Sequence, residues 1–179
     1  VRDNSHMTGK KEAKVTLVEF GDFQCPGCAA ASPTVKKIIE DYKSNENFNF
    51  VFRNFPLEQI HQNARIAAEA AEAAGAQGKY WEMNELLYQK QNEWNVSSVP
   101  LDQFSNYAVT LGLDVEKFKQ SVLQRLFTDV IDADLKDGNN VKVTGTPTFF
   151  LNGVLFAPDP GKIPTLEMFK QAIDTELAK

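Results

Sequence analysis

Both cysteines of the chain stand in Cys25-Pro26-Gly27-Cys28, shortly after the apolar run Val15-Thr16-Leu17-Val18-Glu19-Phe20. Two thiols at i and i+3, where a strand ends and a helix begins, face each other across one turn. They can close a small disulfide ring without moving the backbone. A helix N-terminus carries roughly half a positive charge on unpaired N–H groups, which favours the attacking thiolate over the thiol at Cys25. Pro26 suits the first helical position, where its missing N–H costs nothing. Thiol–disulfide exchange is therefore the chemistry on offer. Two alternatives weigh less. Zinc would need two further ligands, and His6 and His61 are the remaining histidine or cysteine candidates. A static disulfide would close a ring of four residues, which constrains the unfolded chain little.

The elements that would position this pair follow from periodicity. Val15 to Phe20 suits a strand covered on both faces, and a helix is expected from Cys25 towards Tyr42, kinked at Pro33. Phe48, Phe50 and Phe52 alternate with Asn49 and Val51 and predict a second strand ending near Arg53-Asn54-Phe55-Pro56. From Ile60 to about Asp137 the pattern is helical. It predicts an Ala-rich helix over 64–76 and further helices over 79–91, 100–111 and 114–137. In the last, Asp114 is the N-cap and Val115, Phe118, Val122, Leu126 and Val130 form one apolar face, with a stop before Gly138. Thr148-Phe149-Phe150-Leu151, Asn152-Gly153 and Val154-Leu155-Phe156 read as a hairpin, because Asn-Gly supplies the positive φ values of a type I′ turn. A terminal helix runs from Pro164 or Thr165 to Leu177.

Strand, helix, strand, helical block, hairpin and helix predict an α/β fold: a mixed four-stranded sheet flanked by helices, with an all-helical insertion between strands two and three. The expected boundaries are 9–57 and 139–179 for the sheet domain and 58–138 for the insertion. Val1-Arg2-Asp3-Asn4-Ser5-His6-Met7 reads as a vector-derived scar, and residues 1–8 are set aside, His6 included. The 179 residues permit a real core, and 42% hydrophobic with 24% charged residues is ordinary globular usage. A formal charge of −5 argues against a nucleic-acid partner. No run of about 18 apolar residues suits a membrane span, and an anchor or signal peptide preceding the present start is compatible with an extracytoplasmic, periplasmic or cell-envelope location. Oligomeric state is not legible.

Glu19-Phe20-Gly21-Asp22-Phe23-Gln24-Cys25-Pro26-Gly27-Cys28, with Val143-Thr144-Gly145-Thr146-Pro147-Thr148-Phe149-Phe150-Leu151-Asn152-Gly153 far downstream, resembles the DsbA-like branch of thioredoxin-fold oxidoreductases. Phe52 to Leu57 and Gly78 to Met83 share the likeness, which runs from about Ala13 to the end. The resemblance implies a thioredoxin fold with a helical insertion and a redox-active Cys25–Cys28 disulfide with no cofactor. It implies an attacking Cys25, a resolving Cys28, and a cis Pro147 preceded by Thr146 beside the pair. It also implies a buried acid at Glu19, whose raised pKa would let it exchange protons with the Cys28 sulfur. The implied partners are unfolded or cysteine-containing polypeptides and a membrane redox protein that reoxidises the chain. Pro26-Gly27 lacks the histidine of strongly oxidising members, and Thr146 is shared with isomerase-like members. Disulfide formation is the expected reaction, with a reductase or isomerase as the alternative and a peptide-binding module with a static disulfide behind it. His61 reads as a polar residue near a helix start, and Phe23, Trp81 and Trp94 as mostly core.

Overall fold

The computed structural model describes Arg2 and residues 5–179. Strand β2 (Val15–Gly21) occupies the middle of a mixed sheet, parallel to β3 (Phe48–Asn54) and antiparallel to β4 (Thr148–Leu151). β5 (Val154–Leu155) pairs with β4 across Asn152-Gly153, whose φ values of 50° and 80° meet the turn requirement. Leu17 on β2 packs into the larger core with Phe50, Phe52, Phe149 and Phe169, while Phe20 turns to a second cluster with Phe55, Val143 and Phe150. Coverage on both faces explains why β2 and β3 carry apolar residues at successive positions, and why even Asn49 is buried, donating to the Lys10 carbonyl at 2.6 Å. α1 (Pro26–Tyr42) carries the crossover from β2 to β3, and α8 (Leu166–Ala178), capped by Thr165, packs on α1 and β2.

The structure departs from the sequence expectation in several places, and the helix expected over 79–91 breaks at Lys90 into two. Among the described residues the sheet has five strands in the order β1-β3-β2-β4-β5, because β1 (His6–Met7) pairs antiparallel with the outer edge of β3. The segment set aside as a scar thus covers an otherwise open edge. Arg2 bridges Asp134 at 3.2 Å and Asp137 at 2.6 Å, and His6 Nε2 lies 2.7 Å from Glu72. Val1, Asp3 and Asn4 of that segment lie outside the described residues.

Between β3 and β4 come α2 (Ala64–Gly75), α3 (Tyr80–Gln89), α4 (Gln91–Trp94), α5 (Pro100–Thr110), α6 (Val115–Leu123) and α7 (Thr128–Asn140). α2 is their axis, its small Ala67, Ala70, Ala71 and Ala74 letting α3, α5, α6 and α7 approach closely. The helix expected over 114–137 is two helices. Arg125 turns left-handed at φ 52° and ends α6, and the buried Glu69 carboxylate accepts Phe127 N–H and Thr128 Oγ1–H to begin α7. Leu126 consequently leaves the apolar face and is exposed. α7 also runs through Gly138 instead of stopping before it, because a Cβ there would lie 2.5 Å from the Phe55 ring: the glycine permits close packing rather than a break.

Candidate active site

β2 delivers the chain through Asp22, Phe23 and Gln24 to the start of α1. Asp22 Oδ1 accepts Gln24 N–H at 2.7 Å, an Asx turn that sets the corner. Cys25 is the N-cap residue, with Pro26 at the first helical position, and both thiols are free. The Cys25 thiol donates to the Thr146 carbonyl at 3.2 Å, and Thr146–Pro147 is a cis peptide. Pro147 Cδ would be 3.2 Å from a Cβ on Gly27, so the residue between the cysteines must be small for this loop to sit so near.

The two sulfurs occupy opposite environments. The Cys25 thiol is lowered from 9.0 to about 5, first by hydrogen bonding with Cys28, then by Thr146 and the backbone of Cys28 and Gly27, against some desolvation. Thr146 Oγ1 is buried with no hydrogen-bond partner among the described residues. Cys28 is fully buried, and desolvation, its bond to Cys25 and the nearby Glu19 and Cys25 charges push it upward. The Asp22 N–H points at the Cys28 sulfur at 3.5 Å. Glu19, on β2, is 3% exposed and raised to about 8, by burial first and the Cys25 charge second, so it holds its proton at neutral pH. It lines a mainly apolar cavity of about 220 Å³ with Ser32, Phe52, Trp81 and Tyr88, whose buried hydroxyl has no partner among the described residues.

The fold thus brings together all five residues singled out in the sequence: Cys25, Cys28, Glu19, Thr146 and Pro147. It adds others that the sequence reading left without a role. The Asp22 carboxylate is buried and held by Gln24 N–H, Leu57 N–H at 2.9 Å and His61 Nδ1 at 2.7 Å. His61, read as a polar residue near a helix start, therefore has a buried partner 39 residues away. Gln24 Oε1 accepts Asn63 N–H at 2.6 Å, and Gln91 Nε2 donates to the Phe23 and Cys25 carbonyls, pinning the corner to the helical block. An Asp three residues before a cysteine motif is a local signal for a turn, but nothing in the sequence pairs it with His61.

A protein-family model described as thioredoxin matches residues 2–175. The chain is also 32% identical over 178 residues to a probable disulfide bond formation protein D of Bacillus cereus, covering 96% of this chain and 78% of that one. The chain belongs to the DsbA-like family of thioredoxin-fold thiol:disulfide oxidoreductases. The DsbA-like architecture extends over nearly all of it: BdbD from Bacillus subtilis, in its oxidised form, superposes with a TM-score of 0.83 at 25% identity, over 98% of this chain and 94% of that one. Higher identity, 42% over 151 residues, occurs with a protein of Salinispora arenicola named Na(+)/H(+) antiporter NhaA 1. That match takes in 84% of this chain and 22% of the antiporter's length, so the chain spans about a fifth of that relative. No helix among the described residues is long and apolar enough to cross a membrane, and no three of their His, Cys, Asp or Glu side chains cluster as around a metal ion.

Proposed function

We propose that this DsbA-like chain forms disulfides in extracytoplasmic polypeptides by exchange through Cys25 and Cys28. A substrate thiolate attacks the Cys25 sulfur of the protein disulfide, a new S–S bond forms, and the Cys25–Cys28 bond breaks. Cys28 leaves as a thiolate and takes a proton, for which neutral Glu19 is the nearby donor. A second substrate thiolate then attacks the substrate sulfur of the mixed disulfide and expels Cys25. The substrate dithiol is oxidised by two electrons and the protein disulfide reduced by two. Reoxidation by a membrane-bound redox partner completes the cycle.

The single observation that carries the direction is the Cys25 thiol at about 5. A stabilised thiolate is a good leaving group and favours the reduced protein, which makes the disulfide an oxidant. The test is equilibration in glutathione buffers with the thiol fraction followed. The expected potential lies on the oxidising side of the range from about −270 mV for a general reductant to about −120 mV for a strong oxidant. A value near the lower end reassigns the chain as a reductase.

A further inference from the structure

The surface in front of Cys25 has a charge pattern that exchange alone does not require. A cleft of about 690 Å³ is bounded by Gly27 and Pro147 on the dithiol side, and by the turn after α7, β4 and the residues after β5 on the other. Its charged lining residues are Lys142 and Lys162, and no Asp or Glu lines it, although the chain carries 24 acidic against 19 basic residues. Lys162 is tied to Asp159 at 2.8 Å. Lys142 is exposed, and its side chain makes no ion pair or hydrogen bond among the described residues.

The backbone of Lys142 fixes where its side chain starts. Its φ is 64°, in the turn where Lys142 N–H bonds the Asn139 carbonyl and Val143 N–H bonds the Gly138 carbonyl. A left-handed residue just after a helix is ordinarily Gly or Asn, since a Cβ disfavours that conformation. A cation there also faces the negative C-terminal end of α7, which favours it, so Lys142 is held at this turn with its side chain exposed. Beside it, Val141, Leu155 and Ile163 line the same cleft as exposed apolar side chains.

We propose that the cleft selects extended polypeptide segments bearing an acidic side chain within a few residues of the substrate cysteine. Lys142 is the specificity-determining cation, and Val141, Leu155 and Ile163 form the apolar flank. The placing of that cysteine at Cys25 rests on the exchange reading above; the charge preference itself does not.

Binding of peptides in which serine replaces the cysteine keeps the two apart, because no exchange is then possible. A Glu is moved through each position around the serine and compared with Gln at the same place, on the oxidised protein. At the best position Glu should bind about two- to fivefold tighter at low salt, the range for an exposed ion pair. The preference should fade near 1 M salt, vanish in Lys142→Gly and reverse in Lys142→Glu. Lys142→Gly removes a strained residue, so its melting temperature should equal or exceed that of the wild type, which excludes unfolding as the cause. Equal binding of Glu and Gln peptides at every position, or a preference that survives Lys142→Gly, overturns the proposal. Cysteine forms of the same peptides report exchange separately. A Glu preference without turnover retires the exchange reading and leaves the cleft assignment standing.

Discussion

In front of the dithiol, Cys25 meets the Thr146 carbonyl and the first N–H groups of α1, with a cleft bounded by Gly27 and Pro147 beside it; behind it, Cys28 interacts electrostatically with Glu19 and Tyr88, which line an aromatic-walled cavity. The two residues are chemically identical and three positions apart, yet one thiol is lowered to about 5 and the other raised. The difference comes from what each sulfur can exchange for water. Cys25 replaces lost hydration with several hydrogen-bond donors aimed at a negative sulfur. Cys28 loses hydration with little in return beyond one long contact from Asp22 N–H. Thiolate and acid are thus held apart by less than one helical turn.

The largest effect should come from removing one sulfur at a time. Cys25→Ser should abolish exchange with a dithiol peptide, whereas in Cys28→Ser the Cys25 thiolate should still attack a peptide disulfide, expel one peptide thiolate and accumulate a mixed disulfide at Cys25, visible by mass spectrometry. Equal behaviour of the two variants would erase the distinction between front and back. Glu19→Gln should slow exchange by about a hundredfold or more, the scale of a lost proton-transfer group, and flatten the pH–rate profile. It should also stabilise the protein at alkaline pH. With a folded value of about 8 against 4.5 unfolded, the Glu19 contribution is fully present below 4.5 and lost as pH rises through 8. The shift corresponds to roughly 4–5 kcal/mol, so urea midpoints of wild type and Gln variant should diverge from about pH 4.5 to about pH 8 and stay apart above it, the variant higher. Parallel curves would place Glu19 in water.

Smaller displacements sharpen the same contrast. His61→Ala takes one of three donors from the buried Asp22 carboxylate and should cost about 1–3 kcal/mol in urea unfolding. The reduction potential should fall by about 59 mV per pH unit below the Cys25 value and by about 30 mV above it, where reduction takes up one proton instead of two. A break far from pH 5 would mean that the front of the site does not stabilise the thiolate as drawn. The smallest effect is expected of Thr146→Val, which removes one donor to Cys25 and should raise its thiolate titration, followed by ultraviolet absorbance, slightly above that of the wild type.

Much of this arrangement is legible along the chain because it is local. The Cys25–Cys28 spacing, the apolar β2, the Asn152-Gly153 turn and the caps at Asp114 and Thr165 each depend on residues within a few positions of one another. The errors arise where a distant partner overrides a local pattern. The 3.6-residue period continues from Val115 to Val130, but Glu69, from α2, supplies the acceptor that starts α7 afresh. Gly138 has the composition of a stop, and Phe55 makes it a contact instead. Residues 5–8 look foreign to the fold, and the open edge of β3 pairs with two of them.

The sequence by itself determined that two thiols would meet at a helix start, that the strand before them would be buried, and that helices would fill the interval between two parts of one sheet. Periodicity and short-range sterics suffice for each. Only the tertiary structure decided how those thiols differ, since a pKa depends on which distant groups replace water. Thr146 arrives from 121 residues away, and its side chain helps lower the Cys25 thiol; the helical block and β3 close over Glu19 and Cys28, and the turn after α7 sets Lys142, unpaired among the described residues, at the mouth of the cleft.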